Sequence, residues 1–148
     1  MKIIDGTNAI LGRLAAYSAK EALKGEEIAI INCRNVIITG GKRSIIEDFE
    51  AKRKRVGSTQ GGPKISRTSE KIVKTAIRGM LPNYRHGRGR TAFKKIKCYA
   101  GIPEELEKVE KIHFENKNSK IKKIKVGDIA KWKRLLIQEK EKEQLQEQ

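Results

Sequence analysis

Aromatic residues are scarce in this 148-residue chain, and long apolar stretches are missing from it. Phe, Trp and Tyr make up 5% of the residues and form no cluster that would remain exposed. This scarcity argues against a single-strand nucleic-acid binder that stacks bases on aromatic side chains. The apolar runs are far shorter than the roughly 18 residues that a membrane-spanning helix needs. The first residues, MKIID, include an acid and are typical of a strand rather than a signal peptide, so a cytoplasmic location is predicted.

The residue types that hold metals or perform catalysis are also few. Cys33 and Cys98 lie in apolar strand-like segments, which favours buried free thiols over a disulfide. Together with His86 and His113 they show no metal-ligand spacing, so zinc is not expected. The chain has no G-x-S-x-G motif, and Asp5, the acid beside an apolar strand, is predicted to cap the following turn. These observations predict a protein that is not an enzyme and has no cofactor.

Positive charge is what the chain has in excess. Its formal net charge is +16, and most of it lies between residues 42 and 97, where 17 Lys and Arg face four Asp and Glu. Residues 1–41 and 98–148 carry only +1 and +2. Such segregation indicates a polyanionic partner, either nucleic acid or an anionic membrane surface, and nucleic acid is the commoner. A solvated face followed by a flexible loop is the alternative interpretation of a charge run.

An amphipathic helix is predicted at the centre of this basic region. Its apolar face is formed by residues at helical spacing, namely Ile72, Val73, Ala76, Ile77, Met80 and Leu81. Lys71, Lys74 and Arg78 fall on the opposite face. Gly79 and Pro82 are expected to end the helix. A buried helix that displays cations on its outer face suits a surface that binds a polyanion.

Two further basic segments flank this helix. After it, NYRHGRGR at residues 83–90 is predicted to be a loop whose glycines let the backbone approach a partner closely. Before it, a helix with a predicted capping box at Ser44 and Glu47 ends in KRKR, residues 52–55. One or two of these cations would serve the helix dipole, which is the structural interpretation. Four in a row exceed that need, so phosphate contacts are predicted.

Residues 87–92 formally match the G-x-G-x-x-A dinucleotide fingerprint. The preceding residues 82–86 are not a strand pattern, and the acids at a suitable distance, Glu107 and Glu110, lie in a Glu-rich surface segment. The favoured interpretation is a glycine loop that opens a helix at Thr91–Lys95 and presents amides and cations to a phosphate. A small nucleotide-binding α/β enzyme is the second hypothesis. A membrane-surface or partner-binding module is the third.

Short apolar segments that alternate with helical ones predict an α/β domain with a largely parallel sheet. The predicted strands of the first third are Lys2–Asp5, Glu27–Cys33 and Asn35–Thr39, and Gly25 is expected to end the helix between the first two. The chain is predicted to form one domain over residues 1–138.

The C-terminal third gives weaker patterns. Two short strands are predicted within residues 111–125, around an Asn-Lys-Asn-Ser turn, with Ile121 and Ile124 as anchors. Asp128 is predicted to cap a last helix whose buried face includes Ile129 and, further on, Trp132 and Leu136. Residues 139–148 are predicted to be a polar helical extension or a frayed tail.

Several separated motifs resemble the universal large-subunit ribosomal protein L13 family, in its archaeal and eukaryotic form. They are NAILGRLAA, INCRNVIITG, the GGP loop, IRGMLP with its basic continuation, and KIKCYAGIP, in the family's order over about residues 2–103. The resemblance implies a three-layer α/β/α fold with a central, largely parallel four-stranded sheet and a C-terminal helical extension. It also implies a protein without enzymatic activity that binds folded large-subunit ribosomal RNA as a monomer beside neighbouring ribosomal proteins, and that acts in subunit assembly and translation.

The predicted RNA-binding residues follow from the basic segments and from the resemblance together. No membrane partner and no small-molecule substrate are expected. The predicted set is Lys52, Arg53, Lys54, Arg55, Gly61, Gly62, Lys64, Arg67, Lys71, Lys74, Arg78, Arg85, His86, Gly87, Arg88, Gly89, Arg90, Lys94 and Lys95.

Overall fold

The computed structural model describes residues 1–55, 65–107, 109–114 and 121–130. Short 3-10 turns occupy Cys33–Asn35 and Glu104–Leu106, and residues 126–130 are helical. The longer elements, in chain order, are β1 (Lys2–Asp5), α1 (Leu11–Leu23), β2 (Ile28–Ile31), β3 (Ile37–Thr39), α2 (Lys42–Lys54), α3 (Ser69–Met80), α4 (Gly87–Lys94), β4 (Ile96–Cys98), β5 (Lys111–His113) and β6 (Lys123–Lys125).

Four strands form a central sheet in the order β4-β2-β1-β5, and every neighbouring pair is parallel. In the register of β1 and β2, Ile4 lies opposite Ile30. All four residues of β2 are buried, as expected for a parallel strand that is covered on both faces. The prediction of a largely parallel four-stranded sheet is therefore confirmed.

Alternate residues of the strands supply two separate apolar clusters. Ile4, Ile30 and Ile96 face the main core, which contains buried side chains of α1, α3 and α4. Ile3 and Ile31 point to the other face and join a smaller cluster that includes a residue of the second 3-10 turn. An apolar cluster therefore covers each face of the sheet, which agrees with the predicted three-layer α/β/α fold.

The strand predicted at Asn35–Thr39 does not join the central sheet. β3 instead pairs in antiparallel fashion with β6, and the two form a small second sheet. The two short strands predicted within residues 111–125 are confirmed as β5 and β6, which belong to different sheets and do not pair with each other. Ile124 is buried as expected, but Ile121 is 44% exposed and is not an anchor within the described part of the chain. Residues 115–120, where the turn was predicted, lie outside the described residues.

Two helix starts were predicted wrongly from the local sequence. α2 begins at Lys42 with Gly41 as its N-cap, so Ser44 lies inside the helix and the predicted capping box is wrong. Asp128 likewise lies inside the helical residues 126–130 rather than capping them. The predicted end of α1 is confirmed, because Gly25 follows it with a φ of +103°. Trp132, Leu136 and the predicted tail lie outside the described residues.

Asp5 caps the turn after β1, as the sequence predicted. Its Oδ1 accepts hydrogen bonds from the backbone N–H and the hydroxyl of Thr7 and from the side-chain amide of Asn32. Burial acts to raise the pKa of Asp5, but these hydrogen bonds to the charged form outweigh it and the pKa is lowered. The carboxylate therefore joins the carboxyl ends of β1 and β2 and is structural.

Acid should weaken this fold through Glu21. The carboxylate is buried on α1 and pairs with Lys2 and Lys24, whose hydrogen bonds lower the pKa of Glu21 from 4.5 to about 2. Because the folded-state pKa of Glu21 lies below its unfolded-state pKa, the two ion pairs of Glu21 contribute stability above pH 4.5. This contribution is lost as the pH falls toward 2. We expect the melting temperature of the Glu21→Gln variant to depend less on pH in that window. Parallel curves for the two proteins from pH 6 to pH 2 would refute this.

Candidate nucleic-acid interface

α3 carries the predicted apolar and basic faces. Ile72, Val73 and Ile77 are buried in the main core, where the helix packs against α1. On the outer side Lys71 is exposed, while Lys74 and Arg78 are half-buried. The predicted division of the helix is confirmed for these residues. One position of the apolar face is wrong: Met80 is 45% exposed, because it lies at the last turn, beyond the packing contacts.

Two aromatic rings hold the cations of this region in place. Tyr84 and Phe93 are half-buried and meet edge to face, with ring centroids 6.3 Å apart. Arg78 lies 4.9 Å above the Tyr84 ring and Lys74 lies 5.1 Å above the Phe93 ring. This cation–aromatic cluster was missed from the sequence, where both rings are isolated. The signal that could have revealed it is the placement of one aromatic residue in each segment that packs beside the basic face of α3.

Arg85 belongs to the same cluster. Its guanidinium lies 5.7 Å from the Tyr84 ring centroid, and its Nε donates to the Tyr84 hydroxyl at 3.3 Å. This hydrogen bond, more than the charge of Arg85 itself, lowers the pKa of Tyr84. The side-chain oxygen of Asn83 accepts the backbone N–H of Arg85 and shapes the turn. Arg78 and Arg85 thus both contact the ring of Tyr84.

The predicted loop at residues 83–90 is shorter than expected. α4 begins at Gly87 rather than at Thr91, so the last four residues of the predicted loop form the start of a helix. Gly87 has a φ of +54°, a left-handed conformation that glycine adopts readily, and it directly follows the N-cap residue His86. The exposed cations on this helix are Arg88, Arg90 and Lys94. A helix fixes the relative positions of these three side chains, whereas a flexible loop would not.

Gly89 has a packing role that differs from the one predicted. It is buried, and a Cβ built on it would lie 2.0 Å from the carbonyl oxygen of Pro82 and 2.7 Å from that of Asn83. Its small size lets α4 fold back against the turn after α3. The structure thus explains this glycine by a close approach within the chain, and its predicted contact with a phosphate stays a prediction.

Lys95 is also engaged within the protein. Its Nζ donates to the carbonyl oxygen of Gly25 at 2.7 Å, across 70 positions of sequence. Because that carbonyl follows the end of α1, the cation sits where the helix dipole favours positive charge. Lys95 consequently connects the end of α4 to the end of α1, and the structure gives it a structural contact that the sequence did not indicate.

The cations at the basic end of α2 differ in whether they contact other described residues of the protein. Lys52 pairs with Asp48 one turn earlier, but both side chains are largely exposed, so the pair contributes little. Lys54 and Arg55 are exposed and form no ion pair with any residue that the structure describes. These last two are the cations of the KRKR run that remain available to a partner.

Arg53 links the end of α2 to the segment that leads into α3. Its Nη2 donates to the carbonyl oxygen of Ser66 at 3.5 Å, and its guanidinium lies over the Phe49 ring. Partial burial, followed by repulsion from Arg67, lowers the pKa of Arg53. Arg67 therefore lies close by, and it is exposed. The two basic helices are in this way joined through residues 65–68.

We call the resulting surface the basic ridge. It runs from the end of α2, past Arg67 and along the outer face of α3, to the turn and α4. Gly61, Gly62 and Lys64 of the predicted site lie outside the described residues. The ridge consists of Lys54, Arg55, Arg67, Lys71, Lys74, Arg78, Arg85, Arg88, Arg90 and Lys94.

The described residues do not show the features of other functional classes. The described residues contain no group of three or more His, Cys, Asp or Glu side chains that could hold a metal ion. Cys33 is buried and Cys98 half-buried, and both are free thiols. The segment before Gly87 is a turn and not a strand, so the dinucleotide fingerprint lacks its structural context. No helix in the described ranges is long and apolar enough to cross a membrane.

The fold and the ridge define a small α/β protein with a concentrated cationic surface, of the kind that nucleic-acid-binding proteins display. Comparison with known proteins makes the assignment specific. The family model described as ribosomal protein L13 matches residues 1–105, which is more than half of the chain. The chain therefore belongs to the ribosomal protein L13 family, and the resemblance noted from its motifs is confirmed.

Curated archaeal relatives extend the similarity beyond that range. Proteins named large ribosomal subunit protein uL13 are 38% identical in Methanosarcina barkeri and 41% identical in Methanocaldococcus jannaschii, over 135 and 134 residues. The alignments cover 88% of this chain in both cases, and 95% and 96% of the relatives. The relative from Thermoplasma acidophilum is also 41% identical. Since the family is one of ribosomal proteins and not of enzymes, the prediction that this chain is not an enzyme is confirmed.

Proposed function

We propose that this protein binds folded large-subunit ribosomal RNA through the basic ridge and thereby stabilises the RNA during subunit assembly. Membership of the ribosomal protein L13 family supports its role as a structural constituent of the large ribosomal subunit in the cytoplasm. The observation that carries the finer proposal is the ridge itself, in which ten cations follow α2, α3 and α4 with few carboxylates among them.

The chemistry of the ridge favours recognition of the RNA backbone. Arg and Lys bind phosphate oxygens and fix the orientation of a protein on the nucleic acid without selecting a base. Folded RNA exposes phosphates and 2′-hydroxyls across its helices, and proteins recognise it largely by shape. The ridge offers no exposed aromatic ring for stacking, since Tyr84 and Phe93 are half-buried and covered by cations. Shape-dependent phosphate contacts are therefore its proposed mode of binding.

The cation–aromatic cluster has a specific use in this proposal. Free Lys and Arg side chains lose rotamer entropy when they bind, which reduces affinity. The rings of Tyr84 and Phe93 hold Lys74, Arg78 and Arg85 near one orientation before RNA arrives. These three cations are therefore proposed to bind first or most strongly. Arg53 and Lys95, which have contacts inside the protein, are proposed to support the surface rather than to bind RNA.

Binding to large-subunit ribosomal RNA should depend steeply on salt. Each phosphate that the ridge neutralises releases counterions, so the logarithm of the binding constant should fall with log salt by about 0.7 to 0.9 per contact. If roughly six to ten cations make contacts, the expected slope lies between about −4 and −9. Filter binding of the purified protein to the RNA from 50 to 300 mM salt measures it.

A paired substitution controls this measurement. Arg88→Ala with Arg90→Ala removes two exposed cations of α4 and should reduce the slope by about 1.5. Arg13→Ala with Lys20→Ala removes two exposed cations of α1, outside the ridge, and should leave the slope unchanged. A slope near zero for the unmodified protein would contradict the proposal, and equal losses in both variants would show that the ridge is not the binding surface.

A further inference from the structure

A second group of cations lies away from the ridge. The small sheet formed by β3 and β6 borders a cleft of about 400 Å³ next to the start of α2. Three lysines line it, namely Lys42, Lys123 and Lys125, and all three are exposed. Lys123 and Lys125 flank the buried Ile124 on a strand, so they project from the same side. We refer to this as the lysine cleft.

The charges of the lysine cleft are not neutralised within the described part of the chain. None of the three lysines forms an ion pair with a described residue, whereas the neighbouring Arg43 is paired with Glu47. Asp128 is the carboxylate among the residues that line the cleft. Three like charges around one concavity repel one another and attract an anion. The cleft is thus charged like the ridge but formed by different elements.

The ridge and the cleft lie at opposite ends of α1. Asn8, just before this helix, lines the lysine cleft, and Ile10 at its N-cap bridges to Ile37 of β3. At the other end of α1, Leu23 lines a separate hollow together with His86 and with the ridge residue Arg88. A helix of 13 residues is about 20 Å long at 1.5 Å per residue. The two cationic surfaces are therefore separated by about the length of this helix.

We propose that the lysine cleft binds the phosphate backbone of a second RNA segment, so that the protein bridges two segments of folded ribosomal RNA. This inference rests on the proposed RNA binding by the ridge and extends it. Because the two surfaces lie at the two ends of a rigid α/β core, the segments would be held at a fixed separation. A protein that fixes the distance between two RNA segments stabilises tertiary folding, which contact at one surface does not achieve.

The lining of the cleft favours RNA over a protein partner. Protein interfaces depend on a few buried apolar or aromatic anchors surrounded by polar residues. The apolar residues that line this cleft, Ile37 and Ile124, are already buried in the core and are 2% and 4% exposed. A partner would therefore meet mainly the ammonium groups of three lysines, with the single carboxylate of Asp128 beside them. Ammonium groups without an apolar anchor suit phosphates.

Hydroxyl-radical footprinting on purified large-subunit ribosomal RNA tests the bridge. Four full-length proteins are compared: the unmodified chain, Lys123→Ala with Lys125→Ala, Arg85→Ala with Arg88→Ala, and a matched control, Lys20→Ala with Lys97→Ala. We expect the cleft variant to lose protection of one RNA segment and to keep the other. The arginine variant should show the opposite pattern, and the control should keep both. Lys42→Ala leaves β6 intact and should reproduce part of the effect of the cleft variant. It therefore tests the cleft even where the strand substitutions disturb folding.

Each other outcome has a clear meaning. Loss of the same segment by the cleft and arginine variants would overturn the bridge, since both surfaces would then bind one site. An unchanged footprint for the cleft variants would overturn it as well, and their poor incorporation into subunits in that case would indicate a protein partner. Equal losses in the control would show diffuse attraction without a cleft site. No protection by the unmodified chain would refute RNA binding by the ridge, which is a separate failure.

Discussion

Gly89→Ala should strongly destabilise this protein. The added Cβ would lie 2.0 Å from the carbonyl oxygen of Pro82, and backbone atoms cannot move aside as the end of a flexible side chain can. The turn after α3 would have to separate from α4, at a cost of about 3 kcal/mol or more in the free energy of unfolding. Because this turn also positions Arg85, RNA affinity should fall together with stability. Urea denaturation and filter binding measure the two effects.

Gly79→Ala is the matched control for this experiment. Gly79 lies inside α3, and a Cβ built on it meets nothing within 4 Å. Since Ala favours a helix interior over Gly by up to about 1 kcal/mol, this variant should be slightly more stable than the unmodified chain. The two Gly→Ala substitutions, ten residues apart, are therefore expected to have opposite signs. Similar stabilities for both variants would show that α4 does not pack against the turn as described.

Adjacent residues of α3 should separate folding from binding. Ile77 is fully buried in the main core, so Ile77→Ala should cost about 2–5 kcal/mol of stability through the cavity it leaves. Where the variant is folded, its RNA affinity should be nearly unchanged. Arg78→Glu removes a cation held over the Tyr84 ring, and loss of that contact should cost only about 0.5–1 kcal/mol. It should weaken RNA binding strongly, because an anion replaces a cation at the centre of the ridge.

Thermal melts and filter binding on the same preparations distinguish these two roles. Lys71→Glu provides the control for charge reversal, since Lys71 lies on the same face but has no aromatic partner among the described residues. Its effect on affinity should be smaller than that of Arg78→Glu. If Ile77→Ala and Arg78→Glu lower the melting temperature equally, the assignment of the buried and exposed faces of α3 is wrong.

Elements with a strong local pattern could be predicted from the sequence. The apolar run of β2 and the helical spacing of Ile72, Val73 and Ile77 determine burial within one segment, and both predictions are confirmed. The run at Asn35–Thr39 was ambiguous, because a short apolar strand does not specify its partner. β3 pairs with β6, more than 80 residues away in sequence. Such pairing depends on the completed core and not on the strand itself.

The candidate site shows the same limit at the level of single residues. Gly89 and Lys95 lie in a segment whose composition is typical of a phosphate-binding loop. In the structure, however, Gly89 packs against Pro82 and Lys95 donates a hydrogen bond to Gly25. Neither contact leaves a local signal, because it depends on how α4 is placed against α1 and the turn. The Ser44 capping box failed for a related reason: Gly41 starts α2 earlier than the side-chain pattern indicated.

Competitive incorporation into ribosomes tests the central claim most directly. Two tagged copies of the chain, one unmodified and one with Arg78→Glu and Arg88→Glu, would be expressed together, and large subunits would be separated on a sucrose gradient. We predict that the unmodified copy sediments with the large subunit and that the doubly substituted copy, although folded, remains mostly at the top of the gradient. Equal amounts of the two copies in the large subunit would contradict the claim that the basic ridge attaches this protein to ribosomal RNA.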